Sequence, residues 1–426
     1  MIDIQTVLQA NREGEKRGIY AICSAHPLVI EAALEQGKQD GTPVLIEATA
    51  NQVNQFGGYT GMLPADFLNF IGDIADKVGF ERSNIIAGGD HLGPVCWVNE
   101  NAEAAMLKAG ELIASYVAAG FKKIHLDTSM SCADDPQCLP DEVVAKRAAE
   151  LCLVAESTAI EAFGSSDLVF VIGTEVPPPG GAAEEIETLE LTSIERVKQT
   201  LALHKTAFEV RGLGYAWHRV IGLVVQPGVE FDHTSIIDYQ SEKAQSLKAY
   251  IATVPTIVYE AHSSDYQNEK AYNELIRDHF AILKVGPQLT LALREALFAL
   301  SYIEDELIPI ERRSHLRTVC EQEMLESPTN WQRFYPVPPS KGTLYRRYSY
   351  SDRIRYYWNQ PRIQSAVNLL LDNLTSEGIP SPLISQFLPE QYKAIRADEL
   401  TATPKELVKA KVKQVTEAYA YACWKQ

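Results

Sequence analysis

The sequence of 426 residues lacks the features of several classes of protein. No apolar run is long enough to cross a membrane, and residues 1–4 show neither the basic nor the apolar region of a secretory signal peptide. Basic residues are scarce, because 39 lysines and arginines stand against 56 aspartates and glutamates, which gives a net charge of -17. We therefore expect a cytoplasmic protein that binds neither nucleic acid nor an anionic membrane surface.

Cysteine is also scarce, and several nucleotide and nucleophile motifs are missing. The seven cysteines are scattered, and the spacing of Cys132 and Cys138 matches no zinc motif, so we expect reduced thiols. No predicted strand leads into a GxGxxG dinucleotide motif or a phosphate-binding P-loop. A Gly-x-Ser-x-Gly nucleophile motif is missing as well. These absences argue against nicotinamide-dependent oxidation, nucleotide-dependent phosphoryl transfer and serine hydrolase chemistry.

Eight short apolar runs alternate with amphipathic stretches such as 64–78 and 102–119. This alternation predicts eight β-strands, each followed by a helix, and therefore a (β/α)8 TIM barrel. A doubly wound sheet is the competing fold, and the missing dinucleotide motif argues against it. The predicted strands are 18–24, 43–49, the run that leads to Asp90, 123–129, 168–175, 220–228, 256–262 and 281–287.

The strand pattern stops at about Glu304, and the remaining segments have helical character. We therefore predict a barrel over residues 1–303 and a helical C-terminal extension, residues 304–426, that packs on the barrel. The segment 345–358 is dense in arginine and aromatic residues. One interpretation is that stacked guanidinium groups pack this segment on the barrel. The other is that the arginines form a subunit contact or an anion site.

Ionisable or amide side chains stand at the carboxyl ends of seven of the eight predicted strands. In a barrel these ends meet at one rim, where the active site lies. Carboxylates and imidazoles together suit proton transfer and the binding of a divalent transition metal. The candidates are Glu47, Asp90, His91, Asp127, Glu175, Gln226, Glu260, His262 and Lys284.

His91 and His262 are the predicted metal ligands, because each imidazole ends a strand on this rim. Glu175, Gln226 and His233 compete for the remaining ligand position, and the loop that carries His233 could close over the site. His125 lies deeper in its strand, and we predict a structural, hydrogen-bonded role for it. Imidazoles with one carboxylate or amide oxygen suit zinc, our first choice, or manganese, cobalt or nickel.

Long motifs along the whole chain resemble one family of proteins. They are similar to the accessory subunit of class II tagatose-1,6-bisphosphate aldolases, whose relatives include 4-epimerases of tagatose and fructose. Ala50, where the family has serine, is a conservative departure. The motifs are residues 51–62, 88–94, 125–132, 172–177, 259–263, 278–287 and 351–358.

The resemblance implies a barrel related to class II aldolases, with Asp90 as a proton shuttle and His91 and His262 as metal ligands. In those enzymes a histidine follows Ile-Gly-Thr, whereas Glu175 and Val176 stand there in this sequence, which leaves the third ligand open. Members of the family have been described as chaperone-like, noncatalytic partners of the zinc-bearing aldolase subunit. Some carry a kinase label, for which this sequence has no phosphate-binding loop.

The predicted function is metal-dependent C4 epimerisation of a ketohexose or ketohexose phosphate by retro-aldol and aldol chemistry. Asp90 is the predicted acid/base, with Glu175 or Asp127 as its counterpart. Burying several carboxylates at one rim is costly unless a cation or substrate offsets their charge, and this cost favours an enzyme. The alternative is a noncatalytic protein that stabilises a class II aldolase subunit, and self-association is a further possible contact. The predicted substrate-binding residues are Glu47, Gln226, Glu260 and Lys284.

Overall fold

Eight parallel strands close into a barrel in the computed structural model, which describes residues 3–177, 189–335 and 338–425. Each strand pairs with the next along the chain, and the last pairs with the first. The predicted TIM barrel is therefore confirmed. The strands are β1 (Ile19–Ile22), β2 (Val44–Thr49), β3 (Ile85–Leu92), β4 (Lys123–Leu126), β5 (Val169–Ile172), β6 (Val220–Val224), β7 (Val258–Ala261) and β8 (Ile282–Val285).

Helices surround the barrel and form the C-terminal part of the chain. The helices predicted at 64–78 and 102–119 coincide with α3 and α4 in the following list. The helices are α1 (Ile4–Arg12), α2 (Pro27–Asp40), α3 (Pro64–Val78), α4 (Ala102–Ala119), α5 (Asp141–Phe163), α6 (Ile194–Val210), α7 (Gly214–Trp217), α8 (Gln245–Ile251), α9 (Glu269–Arg277), α10 (Pro287–Leu307), α11 (Leu316–Glu326), α12 (Pro339–Tyr348), α13 (Pro361–Glu377), α14 (Ser381–Phe387), α15 (Pro389–Arg396) and α16 (Pro404–Trp424).

Local sequence signals fix the ends of the helices. At the start of α4 the Asn101 side chain accepts a hydrogen bond from the backbone N–H of Ala104. The same helix ends at Gly120, whose φ of 111° is a conformation that glycine adopts without strain. Pro287 occupies the first turn of α10, where a missing N–H removes no helical hydrogen bond. These signals start α4 and α10 in the loops that follow β3 and β8.

The barrel interior changes from apolar to charged toward the carboxyl ends of the strands. Apolar side chains fill its amino end, and Ile4 and Val7 of α1 belong to the same buried cluster, so α1 closes the bottom of the barrel. Further along the strands the interior carries buried lysine and glutamate side chains, including Lys123 and Glu260. A second, larger apolar cluster fills the space between strands and helices, as expected for parallel strands that are buried on both faces.

The C-terminal helices continue directly from the barrel. Helix α10 runs unbroken across the predicted boundary at 303/304, and α16 packs against α2, α9 and α10. The guanidinium of Arg353 lies 3.3 Å from the centre of the Phe334 ring, and Asn359 Nδ2 donates to the carbonyl oxygen of Tyr59 at 2.5 Å. Arg353 therefore stacks within the extension, whereas Arg294 of α10 stacks on the segment 345–358 with its guanidinium 5.6 Å from the centre of the Tyr348 ring. The division into two units stays a prediction.

Two further features complete the fold. The loop after β6 contains a short antiparallel pair, Glu230–Phe231 with Ile236–Ile237, that the sequence pattern does not predict. Within the described ranges, no helix has both the length and the apolar character needed to cross a membrane.

Candidate active site at the carboxyl end of the barrel

Strand β3 delivers two consecutive side chains, Asp90 and His91, to the mouth of the barrel. In a regular strand neighbouring side chains point to opposite faces. Here the register between β3 and β4 shifts between Gly89 and Leu92, and His91 has a φ of 49°. This irregularity brings both side chains to the wall of one cleft. A left-handed conformation at a residue other than glycine is strained, and such strain is frequent at functional sites.

Gly93 allows β3 to pass close to the backbone that follows β4. A Cβ atom on Gly93 would lie 1.7 Å from the carbonyl oxygen of Asp127. In this arrangement His91 Nδ1 lies 2.7 Å from Asp127 Oδ2, and Ser129 Oγ donates to Asp127 Oδ1 at 2.7 Å. Carboxylates in this position orient imidazoles that bind metals. The structure therefore places Asp127, a predicted acid/base, behind His91 as a group that fixes its ring.

Three imidazole rings meet at this end of the barrel. The ring centres of His91, His125 and His262 are 5.0 to 5.2 Å apart, and the three side chains are almost fully buried. Strand β4 supplies His125, for which the sequence predicts a structural role. Because β4 neighbours β3, His125 lies beside the Asp90–His91 pair.

The surroundings of the three rings fit a divalent metal. Both polar contacts of His125 within the described residues use Nδ1, which lies 3.2 Å from the backbone nitrogen of His91 and 3.0 Å from Asp90 Oδ1. Its Nε2 is buried and has no hydrogen-bond partner in the described part of the chain, a costly state unless an ion or ligand satisfies it. Ligand atoms of Asp90, His125, Glu260 and His262 all lie within 4.8 Å of one another. Imidazole nitrogens and carboxylate oxygens are ligands of divalent transition metals.

Two buried lysines form the floor of the site. Lys123 is fully buried, and its Nζ lies 2.6 Å from Glu47 Oε1 and 2.7 Å from Glu260 Oε2. Lys284 pairs with Glu47, and its Nζ lies 2.9 Å from Asp90 Oδ1. Buried charges persist where they are paired in this way. Of the residues predicted to bind substrate, Lys284 lines the cleft, whereas Glu47 and Glu260 lie below it in the ion network.

Acidic charge exceeds lysine charge within this network. Four carboxylates face two ammonium groups, so with neutral imidazoles, the form that binds metals, the network carries two negative charges, equal in size to the charge of one divalent cation. This balance is a second reason why the residues fit a metal. The carboxylates are Glu47, Asp90, Asp127 and Glu260, and the ammonium groups are Lys123 and Lys284.

The charges of neighbouring groups shift the protonation of Asp90 and His91 in opposite directions. Burial favours the neutral form of Asp90, but His91 and His125 outweigh it and hold the pKa of Asp90 well below its usual range. Burial also favours neutral His91, but Asp90 and Asp127 raise the pKa of His91 to about 9. The Asp90 carboxylate is therefore ionised, and an imidazole beside it attracts positive charge.

A cleft of about 640 Å³, including its open mouth, leads from the solvent to these groups. The C-terminal extension contributes Arg355 and Tyr356 to the wall, which neither interpretation of the arginine-rich segment predicts. The lining includes Asn51, Gln52, Tyr59, Asp90, His91, His262, Asp265, Lys284, Gly286, Arg355 and Tyr356.

Glu175 and Gln226 are not among the residues that line this cleft. The Glu175 side chain is 36% exposed, with Oε1 at 3.1 Å from Arg196 Nε and Oε2 accepting from Thr192 Oγ1 at 2.8 Å. Gln226 Oε1 accepts from the backbone N–H of Gly228 at 2.8 Å, which closes the loop after β6. Both side chains therefore have structural contacts outside the imidazole cluster.

His233, a predicted candidate for the third ligand position, lies against the C-terminal extension. Its Nδ1 is 3.1 Å from Ser351 Oγ, and its ring centre is 5.0 Å from that of Tyr335 and 5.3 Å from that of Tyr345. The ring that joins His91 and His262 in the structure is instead His125.

The sequence pattern does not identify Lys123 as a site residue, and it predicts only a structural role for His125. They are two residues apart on β4, so both side chains face the same side of the strand, as does Asp127. This alternation is a signal that the sequence contains. Asp265 and Arg355 lie in loops, and no strand pattern points to them.

Comparison with known proteins places the whole chain in one family. Residues 4–424 match the model of the family described as "D-tagatose-1,6-bisphosphate aldolase subunit GatZ/KbaZ-like". The chain is 55% identical over 420 residues to the D-tagatose-1,6-bisphosphate aldolase subunit GatZ of Escherichia coli O1:K1 / APEC. The aligned region covers 99% of this chain and 100% of that protein. It is equally similar to the GatZ subunit of Escherichia coli O45:K1 (strain S88 / ExPEC).

A solved structure agrees with this assignment. The crystal structure described as a "probable tagatose 6 phosphate kinase" from Sinorhizobium meliloti 1021 matches with a TM-score of 0.88 and 47% sequence identity. The match covers 96% of this chain and 100% of that chain. The predicted resemblance is confirmed, and the chain belongs to the D-tagatose-1,6-bisphosphate aldolase subunit GatZ/KbaZ-like family.

Proposed function

We propose that the chain is a metal-dependent enzyme that inverts C4 of a ketohexose, interconverting tagatose and fructose. The observation that supports it is the meeting of three imidazoles beside four buried carboxylates and two buried lysines, at the mouth of a barrel. Burying these groups is costly, and a protein that merely stabilises another subunit gains nothing from that cost. The carboxyl end of a TIM barrel is also where catalytic groups lie.

In this proposal one divalent transition metal would be held by His125 and His262, whose ligand atoms lie within 4.8 Å of those of Asp90 and Glu260, together with His91, and zinc is the first choice, with manganese, cobalt or nickel as alternatives. When bound, the metal polarises the C2 carbonyl group of the ketose as a Lewis acid. Asp127 holds the His91 ring, and Glu260 Oε1 lies 2.9 Å from His262 Nε2 and holds that ring. Lys123 in turn fixes Glu260, so the floor of the site keeps the imidazoles in place.

Asp90 is the acid/base of the proposed reaction. Its Oδ1 contacts Lys284 and His125, while its Oδ2 lies 3.7 Å from His91 Nε2 at the wall of the cleft. The carboxylate takes the proton from O4, the C3–C4 bond breaks with its electron pair moving toward C2, and C4 becomes an aldehyde. The aldehyde turns, the bond re-forms on its other face, and Asp90 returns the proton to O4. The sequence is balanced without an oxidant or a reductant.

Epimerisation, unlike cleavage, requires that both fragments stay in the cleft until the bond re-forms. Aromatic side chains from two parts of the chain suit this role. The rings of Tyr59, in the loop after β2, and Tyr356, in the extension, meet edge to face with their centres 4.8 Å apart. Both line the cleft. The extension therefore helps to enclose the reacting sugar.

The names of the curated relatives favour a second candidate function. Those relatives are described as subunits of tagatose-bisphosphate aldolase. The alternative is that this chain binds a class II aldolase subunit as a noncatalytic partner. Leu107 on α4 and Ile160 and Phe163 on α5 are each more than half exposed and are apolar side chains that such a partner would cover.

Fructose that carries deuterium at C4 tests the proposal. The purified, metal-loaded chain is expected to produce tagatose that retains the deuterium on carbon, because the C4–H bond is never broken. Tagatose whose deuterium is lost to solvent contradicts the mechanism. No product from any ketose, together with higher activity or stability of a class II aldolase subunit on mixing, supports the alternative. The metal-stripped chain is the control and should be inactive.

A further inference from the structure

The loop after β7 places a carboxylate where many TIM barrels hold a phosphate group. In such barrels the phosphate binds to the loops after the seventh and eighth strands, at the N-terminus of a helix. In this chain the same corner contains Asp265, after β7, and the start of α10, after β8. Asp265 Oδ1 accepts from the backbone N–H of Gly286 at 3.0 Å and from that of Gln288 at 2.8 Å.

The N–H groups that would hold a phosphate are therefore bonded to an anion of the protein itself. Asp265 is 3% exposed, and it lines the cleft together with His262 and Lys284. The positive end of the dipole of α10, a helix of 21 residues, stabilises this carboxylate. A phosphate group at the same place would meet a buried charge of its own sign.

The other oxygen of Asp265 suits a sugar hydroxyl. The hydrogen bonds that Asp265 accepts from the start of α10 both use Oδ1, and within the described residues no side chain donates to Oδ2. A carboxylate oxygen without a side-chain partner, in the wall of a polar cleft, accepts hydrogen bonds from hydroxyl groups. The same atom repels phosphate oxygens, which have no proton to donate when the phosphate is fully ionised.

Arg355 lies in the same wall but does not make it an anion site. Its Nη1 donates to the carbonyl oxygens of Ser351 and Asp352, and its Nη2 donates to the hydroxyl of Tyr356 at 3.0 Å. The extension therefore uses most of the donors of this guanidinium. Burial raises the pKa of Asp265 to about 6, against the backbone N–H groups of Gln288 and Gly286 and the charge of Arg355, which lower that pKa, so Asp265 is mostly ionised at neutral pH.

The backbone around Asp265 is held firmly. Ser263 and Tyr266 have φ values of 53° and 66°, a conformation that such residues adopt only where surrounding contacts enforce it. The N–H of Tyr266 donates to Gln288 Oε1 at 2.8 Å, and its hydroxyl donates to the carbonyl oxygen of Tyr350 at 2.6 Å. These bonds tie the loop both to α10 and to the extension, so Asp265 cannot easily turn away from a ligand.

We propose that Asp265 makes this end of the cleft selective for unphosphorylated ketohexoses. The proposal rests on the proposed function for the identity of the ligand as a ketohexose. It assigns to Asp265 the role of a specificity-determining residue, because its Oδ1 fills the phosphate position and its Oδ2 is left for a hydroxyl group.

Calorimetric binding of D-tagatose and D-tagatose 1,6-bisphosphate to the metal-loaded full chain tests the proposal. The bisphosphate brings a phosphate to Asp265 whichever way the sugar lies in the cleft. We expect the free ketose to bind at least about tenfold more tightly, because of the like charges. Asp265→Asn keeps the size and one acceptor oxygen, and it should bring the two affinities close together. Glu269→Gln, which removes the same charge from the exposed first turn of α9, should leave the ratio unchanged.

Equal or tighter binding of the bisphosphate by the wild-type chain overturns the proposal. If neither sugar binds, the proposed function fails, and inorganic phosphate then decides the role of Asp265 independently. Phosphate should raise the thermal unfolding temperature of Asp265→Asn while leaving the wild-type chain and Glu269→Gln unchanged. If phosphate raises the unfolding temperatures of the wild-type chain and Asp265→Asn equally, or raises neither, the proposal is overturned.

Discussion

The ends of β3 and β5 both carry an acidic residue, yet only one of them reaches the centre of the site. At the end of β3, Asp90 is 2% exposed and contacts Lys284 and His125, which come from other strands. After β5, the Glu175 side chain is 36% exposed and contacts Arg196 and Thr192 outside the barrel interior. Burial and contacts across the barrel, and not the position at a strand end, therefore distinguish the two acids.

The lengths and ends of β3 and β5 explain why Asp90 is buried and Glu175 is partly exposed. Strand β3 is eight residues long, has an irregular register near its end and leaves through Gly93, which touches the backbone after β4. Strand β5 has four residues and ends at Ile172, three residues before Glu175. Strand β3 therefore keeps its last side chains in the barrel, whereas Glu175 lies in a loop three residues beyond the end of β5.

The largest expected effect concerns the imidazole cluster. His125→Ala removes one of three converging rings, so bound metal should fall from about one per chain to less than about a tenth, and turnover by about three orders of magnitude or more. His91→Ala and His262→Ala should behave alike, whereas His233→Ala should keep its metal. Elemental analysis after dialysis, with circular dichroism to verify folding, measures this. Full metal content in His125→Ala would contradict the three-histidine assignment.

Gly93, after β3, and Gly173, after β5, allow a second comparison of the two strand ends. A Cβ on Gly93 would meet a backbone carbonyl oxygen at 1.7 Å, whereas a Cβ on Gly173 would meet side-chain atoms of Val176 and Val224 at 3.0 Å. We expect Gly93→Ala to lower the free energy of unfolding by about 3 kcal/mol and Gly173→Ala by about 1 kcal/mol. Urea denaturation of both variants measures the difference. Equal losses would show that the two strand ends are equally constrained.

Asp90→Asn is expected to lower turnover less than His125→Ala does. The amide keeps the size of the side chain but cannot accept and return a proton, so turnover should fall by about two orders of magnitude. The ketose should still bind, so KM should change little, and metal content should stay near that of the wild-type chain. Initial rates over a range of ketose concentrations separate these quantities. Near-normal turnover would move the acid/base role away from Asp90.

The sequence predicts the barrel well because its strands are short apolar runs with helical stretches between them, a pattern set by local chemistry. It also points to Asp90, His91 and His262, whose side chains end strands. It fails where position depends on contacts between distant segments. The roles of Lys123 and His125 depend on which residues face them across the barrel, and the sequence alone does not give that register.

The sequence pattern also fails for residues in loops, because it selects some that lie outside the site and misses others that lie in it. Gln226 and His233 follow a strand, as site residues do, but their loop folds back, so that Gln226 bonds to its own backbone and His233 to the extension. Asp265 reaches the cleft through two strained residues and the start of α10. Loop conformations of this kind are decided by tertiary contacts, which strand and helix patterns do not encode.

The smallest effect is expected at the end of β5. Glu175→Gln removes a partly exposed charge that pairs with Arg196, and Arg196 keeps a second partner, because its Nη1 lies 2.8 Å from Asp141 Oδ2. Exposed ion pairs contribute little, so the free energy of unfolding should change by less than about 1 kcal/mol. Turnover should stay within about twofold, since Glu175 does not line the cleft. Ketose turnover and urea denaturation, compared with Asp90→Asn under the same conditions, measure both. A loss of turnover as large as that of Asp90→Asn would show that the end of β5 moves into the cleft with substrate, and it would restore Glu175 as the counterpart of Asp90.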